Sequence, residues 1–137
     1  MKQKENNFAY IDGANLHKGI VELGRHLNYK RFRVWLSEKY GVGRAYIFHG
    51  EIKGNCDAEM VLQAASDMYE KFFDKAVVVT GDGDFACLVN FLKDRKKFEV
   101  VMSPSAKKAS VLLKRAVPEN IVFLERFRGR LEYVRGE

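Results

Sequence analysis

The sequence predicts an α/β fold in which a mainly parallel sheet of about five strands is covered by helices on both faces. Short β-branched or apolar runs alternate along the chain with longer segments of helical periodicity, so the element order is β-α repeated. The chain has 137 residues, of which 47% are hydrophobic, which is enough for one domain with a sizeable core and too little for two. We therefore expect one domain over residues 1–137, with a polar N-terminal tail at 1–7 and a basic C-terminal segment at 125–137.

The individual elements follow from these patterns. The predicted strands are 8–11, 45–48, 76–80, 99–102 and 121–124. The predicted helices are 15–24, 31–40, 57–72, 85–95 and 107–116, several of which end at Gly, at Lys/Arg or near a Pro. The final segment, RFRGRLEYVRGE, is predicted to be either an extra edge strand or a mobile basic tail.

Cysteine and histidine usage argues against several kinds of site. Cys56 and Cys87 have no second Cys or His at zinc-ligand spacing, and each lies in an apolar pattern, so we expect reduced, buried thiols. The three histidines show no spacing that indicates a metal site or a catalytic triad. The N-terminus lacks an apolar signal core, and no run approaches the roughly 18 apolar residues of a membrane span. We therefore expect a cytoplasmic protein with no membrane contact.

The net charge of +6 is unevenly distributed along the chain. Residues 1–35 carry seven Lys/Arg against three acids and residues 106–137 carry eight against four, whereas residues 36–105 carry nine against eleven. A solvated lysine-rich surface would explain the balance alone. Basic ends around an acidic centre also suit a nucleic-acid enzyme, because basic groups hold the phosphate backbone while carboxylates hold a metal.

Acidic residues follow two of the predicted strands. Ligands bind at the carboxyl ends of the strands in an open parallel sheet. Asp12 comes directly after the first strand, in Asp-Gly-Ala-Asn, and Asp82 and Asp84 follow the third, in Gly-Asp-Gly-Asp. The glycines are expected to give the backbone the conformational freedom to aim these carboxylates into one space.

A fourth carboxylate begins the third predicted helix. Asp57 shares a 3.6-residue periodicity with Met60, Val61, Ala64 and Met68, so it should lie on the core-facing side of the first turn and point toward the same sheet edge.

Each aspartate also has an ordinary structural interpretation. Asp12 and Asp57 could be helix N-caps, and Asp84 could cap the helix that begins near residue 85 while Asp82 is a turn residue. Four carboxylates at one sheet edge would repel one another without a cation, however, so their joint presence predicts a metal site.

Three segments resemble a known family. The run FAYIDGANL at 8–16, the Lys53-Gly54 pair followed by Asp57, and the run VVVTGDGDF at 77–85 together look like an NYN domain of the LabA-like branch, within the PIN-like nuclease superfamily. The resemblance covers residues 8–124. In one departure, Asn55 and Cys56 separate the Lys-Gly pair from Asp57, where family members often have one residue.

The resemblance implies a three-layer α/β/α sandwich that binds Mg²⁺ or Mn²⁺ and cleaves RNA with a metal-activated water. The expected catalytic and metal-binding residues are Asp12, Asp57, Asp82 and Asp84, with Asn15 beside them as a further metal-site residue that orients Asp12 or a water. Asp57 is assigned either as a ligand or as a water-positioning group. Hard oxygen donors suit both ions. The candidate phosphate-binding residues are Lys53, Lys107, Lys108, Lys114 and Arg115, three of which (107, 114 and 115) would lie within two turns of the predicted helix 107–116.

Other functional classes fit less well. A haloacid-dehalogenase-like phosphatase needs Asp-x-Asp after its first strand, and a response-regulator receiver needs an acidic pair there, whereas this chain has Asp12-Gly13-Ala14. The remaining alternative to a metal-dependent endoribonuclease is a catalytically silent RNA-binding or protein-interaction module of the same fold. The sequence leaves the oligomeric state open.

Overall fold

A computed structural model of the protein describes residues 5–49 and 55–132, with the side chains of residues 55 and 56 outside the description. A five-stranded sheet lies at the centre, and all four strand pairings are parallel, in the order β2-β1-β3-β4-β5. The strands are β1 (Asn7–Asp12), β2 (Val42–Phe48), β3 (Ala76–Val79), β4 (Phe98–Ser103) and β5 (Ile121–Phe123). The five predicted strands are therefore confirmed, and the largest boundary difference is at β2, which begins at residue 42 rather than 45.

Helices connect the strands and cover both faces of the sheet. They are α1 (Gly13–Glu22), α2 (Tyr29–Tyr40), α3 (Asn55–Tyr69), α4 (Ala86–Asp94), α5 (Val111–Ala116) and α6 (Arg128–Leu131). None of the helices in the described part of the chain is long and apolar enough to cross a membrane.

Alternate residues of the strands build two separate cores. On β1, Phe8 and Tyr10 belong to a buried cluster with residues of α3, α4 and α5, whereas Ala9 and Ile11 belong to a second cluster with residues of α1, α2 and α6. Because strand side chains alternate between faces, both faces of a central strand must be apolar when helices cover both. The α/β/α prediction is confirmed.

The loop between β4 and α5 corrects one predicted helix. The helix was expected over 107–116, but α5 begins at Val111, and Lys107 and Lys108 lie in the turn that precedes it. The Ser105 hydroxyl accepts the backbone N–H of Lys108 (3.2 Å), and the Ser110 hydroxyl caps α5. Serine side chains that bond nearby backbone groups compete with the helix, which explains the late start.

The C-terminal segment is neither of the two expected structures as far as Glu132. It forms a 3-10 turn (Leu124–Phe127) and then α6, which packs against α2. The Phe127 ring lies 5.0 Å from the Trp35 ring, and the carbonyl of Leu131 accepts the N–H of Asn28 at 2.8 Å. Phe127 thus packs on Trp35 and Leu131 is buried in the same core cluster, whereas Arg128 and Arg130 between them are exposed. Residues 133–137 lie outside the described part.

The prediction for Cys87 is wrong in one respect. The thiol is free, as expected, but it is exposed. Leu88, Val89 and Leu92 form the buried face of α4, and Cys87 precedes that face by one residue, which turns it outward. The side chain of Cys56 lies outside the described residues.

The strand order places a crevice between β1 and β3. From β1 the chain continues to β2 on one side, whereas from β3 it continues to β4 on the other, so the connections leave these neighbours in opposite directions. A switch point of this kind opens a crevice at the carboxyl ends of the two strands. Asp12 ends β1, and residues 80–84 follow β3.

Leu131→Ala should destabilise the fold by about 2–3 kcal/mol, because Leu131 is 2% exposed and its removal leaves a cavity under α6. Urea unfolding of this variant and of the exposed control Arg130→Ala measures the effect. If the two variants have equal midpoints, the C-terminal helix is not part of the cooperative core.

Candidate metal site

Asp12 is held at the carboxyl end of β1 by two hydrogen bonds. One carboxylate oxygen accepts the backbone N–H of Asn15 at 3.2 Å, and this bond caps α1. The other oxygen accepts a hydrogen bond from the hydroxyl of Thr80 at 3.0 Å. The residue is only 4% exposed. The N-cap interpretation of Asp12 is therefore correct, and the second oxygen still faces β3.

Asp82 follows β3 and is tied to the same hydroxyl. Its backbone N–H donates to Thr80 Oγ1 at 3.1 Å, and its side chain accepts the N–H of Asp84 at 2.9 Å, which caps a 3-10 turn over Gly83–Phe85. Thr80 thus bonds at once to the carboxylate of Asp12 and to the backbone of Asp82.

Asp57 reaches the site from α3. The helix begins at Asn55, so Asp57 lies inside the first turn rather than at the N-cap. Met60, Ala64 and Met68 on the same side are buried, whereas Val61 is at the edge of that face and 36% exposed. The packing of this apolar stripe against the sheet sets the direction in which Asp57 projects.

Three of the four predicted aspartates converge. One carboxylate oxygen each from Asp12, Asp57 and Asp82 lies within 4.8 Å of the other two. Asp84 is outside this group, and its side chain is exposed. The three carboxylates come from β1, α3 and the loop after β3, which are far apart in sequence.

Burial makes a charged Asp12 costly. Desolvation raises the pKa of Asp12 above its usual 3.8, and the charge of Asp82 raises it further, whereas the hydrogen bonds from Asn15 and Thr80 oppose the shift. Repulsion between carboxylates this close is relieved by a cation or by a proton.

The donor set fits a hard divalent cation. Three carboxylates supply only oxygen ligands, and a partly open site leaves room for the waters that Mg²⁺ and Mn²⁺ retain. Asp12, Asp57 and Asp82 are the residues that would hold the ion.

Asn15 joins the two strand-end loops. Its side-chain oxygen accepts the N–H of Gly81 at 2.8 Å while its own N–H binds Asp12. This oxygen is therefore already engaged, and the contacts describe a positioning residue that fixes the β1 loop against the β3 loop.

Gly81 and Gly83 are required for a different reason from the one expected. Positive φ occurs at neither, since Gly24 and Gly41 are the glycines with positive φ in the described ranges. A Cβ on Gly81 would lie 2.7 Å from Ser103 Oγ, and one on Gly83 would overlap Ser110 Oγ. Close approach of Ser103 at the end of β4 and of Ser110 at the N-cap of α5, rather than conformational freedom, explains these glycines.

Sequence reasoning missed Thr80 and Ser103. The sequence analysis assigns Thr80 only as the end of a strand, although a hydroxyl directly before Gly-Asp at a strand end is a usable signal. Ser103 ends β4 at the same sheet edge and is 1% exposed. The rule that singled out Asp12 and Asp82 would also have found Ser103.

Of the five predicted phosphate-binding residues, four lie in the described part of the chain, in α5 and in the turn before it. Lys107 and Lys108 are exposed in the turn before α5, whereas Lys114 and Arg115 are in its last turn. Lys53 lies outside the described residues.

Asp12→Asn should change how stability depends on pH in metal-free protein. Because the pKa of Asp12 is raised in the folded state, the stability contributed by its neutral form is complete below pH 3.8 and is lost as the pH rises through the folded-state value. Urea unfolding in chelator should show wild type losing stability relative to Asp12→Asn above that pH. The exposed control Asp94→Asn should show no such divergence, and a parallel course for Asp12→Asn would contradict the buried-charge account.

Comparison with known proteins agrees with this architecture. The family model described as NYN domain matches residues 9–125. A protein of unknown function from Vibrio parahaemolyticus has a similar structure, with a TM-score of 0.64 and 21% identity over 90% of this chain and 96% of that chain, which shows a shared fold. No curated protein matches the sequence. The family match does not distinguish branches, so the LabA-like assignment stays a prediction. Because the match spans the segments carrying Asp12, Asp57 and Asp82, and most of the chain besides, the protein belongs to the NYN domain family.

Proposed function

We propose that the protein is a metal-dependent endoribonuclease that hydrolyses phosphodiester bonds of RNA with Mg²⁺ or Mn²⁺. The convergence of Asp12, Asp57 and Asp82 within 4.8 Å carries the proposal. Membership of a family with a PIN-like nuclease fold supports it, and so does the net charge of +6, which suits a polyanionic substrate.

The three convergent aspartates act as the ligands of the ion. When bound there, a divalent ion would lower the pKa of a bound water and would stabilise negative charge on the phosphate and the leaving oxygen. Thr80 and Asn15 keep Asp12 in place through their hydrogen bonds, so the carboxylates need little rearrangement.

Asp84 takes a role apart from direct ligation. Its side chain is exposed on the turn that Asp82 caps, two residues after Asp82 but outside the group of three convergent aspartates. We assign it to accepting a hydrogen bond from the attacking water. This assignment predicts that Asp84→Asn slows cleavage less than Asp82→Asn.

Purified protein should cleave single-stranded RNA when Mn²⁺ or Mg²⁺ is present, and Asp82→Asn should lower the rate by about two orders of magnitude or more, because it removes a metal ligand. The assay follows an end-labelled RNA by gel electrophoresis, with the exposed Asp94→Asn as a matched control that should retain the wild-type rate.

Two results would count against this function. Equal cleavage in excess chelator would remove the metal from the mechanism. RNA binding without cleavage under any divalent ion would favour the silent binding module instead.

Manganese should raise the melting temperature of the wild type. An ion that binds only the folded state stabilises it by about 2.7 kcal/mol at a concentration one hundred times its Kd. Asp82→Asn should show a much smaller shift. In chelator the same variant should be as stable as wild type or more stable by about 1 kcal/mol, since a neutral amide removes repulsion and still caps the turn.

Thermal unfolding of wild type, Asp82→Asn and Asp94→Asn, each with manganese and with chelator, separates these contributions. A wild type that is indifferent to manganese would show that the aspartates serve only as caps and turn residues.

A further inference from the structure

A cleft adjoins the aspartates on the β4 side. It has a volume of about 180 Å³ and lies between α1 and the β4–α5 loop. Asn15, Lys18, Gly19 and Glu22 line one wall and recur at helical spacing on one face of α1. The other wall is formed by residues 103–105 and Lys108.

Two lysines at the rim are available to a ligand. Lys18 and Lys108 are exposed, and neither ammonium group has a hydrogen-bond or ion-pair partner among the residues that the structure describes. Glu22 is the single acidic residue among those lining the cleft, so two positive charges face one negative charge. The lining residues alone carry an excess of one positive charge, because the three convergent aspartates lie outside the lining, and the cleft therefore suits an anion.

The floor of the cleft is closely built. A Cβ on Gly19 would lie 2.5 Å from Pro104 Cβ, so the glycine is what allows α1 to approach the loop after β4. Ser103 and Ser105 are buried, and the Ser103 hydroxyl donates to the Ser105 carbonyl at 3.1 Å. The backbone N–H of Lys108 also donates to Ser105 Oγ. The loop that carries Lys108 is therefore held in a defined position.

The cleft and the aspartates share structural parts. Asn15 lines the cleft and also donates its N–H to Asp12, and Gly81, which lines the cleft too, directly precedes Asp82. The Asn15–Gly81 hydrogen bond forms the boundary between the two sites. Because the two sites share Asn15 and Gly81, an RNA strand bound at the aspartates can continue into the cleft.

We propose that this cleft binds the RNA phosphate next to the one that is cleaved, with Lys18 and Lys108 as its two cationic contacts. The identity of the ligand rests on the proposed ribonuclease function, whereas the anion preference rests on the cleft itself. No sequence pattern indicated Lys18. The proposal assigns a phosphate in this cleft to Lys108 but not to Lys114 or Arg115, which do not line it.

Binding is measured in chelator, so that cleavage cannot interfere, by fluorescence anisotropy of a labelled single-stranded RNA over a range of salt concentrations. Each phosphate contact on a single strand contributes about 0.7 to the slope of log K against log salt, which corresponds to roughly fivefold in affinity near 0.1 M salt. Lys18→Ala and Lys108→Ala should each lose about that slope and affinity. Lys30→Ala on α2, which does not line this cleft, should match wild type.

Glu22→Gln gives a test of opposite sign. Removing the negative charge should tighten RNA binding, whereas a weaker complex would mean that Glu22 contacts a base or ribose and would overturn the assignment of a phosphate. Unchanged salt slopes for both lysine variants would also overturn it. RNAs with a 5′-phosphate and a 5′-hydroxyl distinguish the source of the phosphate: equal losses support an internal phosphate, whereas a loss confined to the phosphorylated RNA contradicts the internal position.

The same variants separate this inference from the ribonuclease function. If wild type cleaves RNA with manganese but both lysine variants keep the wild-type salt slope, the cleft assignment fails and the nuclease stands. If both lysine variants bind with reduced slope but wild type never cleaves, the phosphate contact stands and the nuclease fails.

Discussion

The bridge made by the Thr80 hydroxyl is the contact on which the candidate site depends. It donates to the carboxylate of Asp12 and accepts the N–H of Asp82, and so fixes the relative position of two acidic residues that are 70 positions apart. The bridge exists because β1 and β3 pair in parallel with Ile11 opposite Val79, which leaves Asp12 and Thr80 as the next residues on adjacent strands. Both strands are buried on two faces, and a slip of one residue would exchange the two cores, so the register is strongly specified.

The arrangement concentrates negative charge where the fold can least solvate it. Asp12 is buried, and its pKa is raised for that reason first and by Asp82 second. The backbone N–H groups of Asn15 and Asp84 donate to the carboxylates of Asp12 and Asp82, and these bonds offset part of the cost of placing negative charge here. The same hydrogen bonds therefore have two consequences: they stabilise the loops at the ends of β1 and β3, and they hold the carboxylates of Asp12 and Asp82 where Asp57 converges with them.

Much of the fold and part of the site followed from local patterns. The apolar runs predicted all five strands because a parallel strand covered on both faces must be apolar almost throughout. The rule for the carboxyl ends of strands pointed to Asp12 and Asp82, and the periodicity of Met60, Ala64 and Met68 pointed to Asp57, and these three carboxylates converge in the structure. Local patterns failed at residues 107–110, where serine side chains delay the helix. They failed also at 125–132, where Phe127 packs on Trp35 of another helix and Leu131 is buried in the same cluster.

The sequence by itself determined the element order, the parallel sheet and the presence of carboxylates at strand ends, because these depend on residue type and spacing along one segment. The tertiary structure alone decided which carboxylates meet. Asp82 and Asp84 are equivalent in the motif, but the direction of a single turn brings Asp82 to Asp12 and leaves Asp84 exposed. It also decided why Gly19 is a glycine and that Lys18 faces a cleft with Lys108, since both depend on how closely α1 and the loop after β4 approach across the sheet edge.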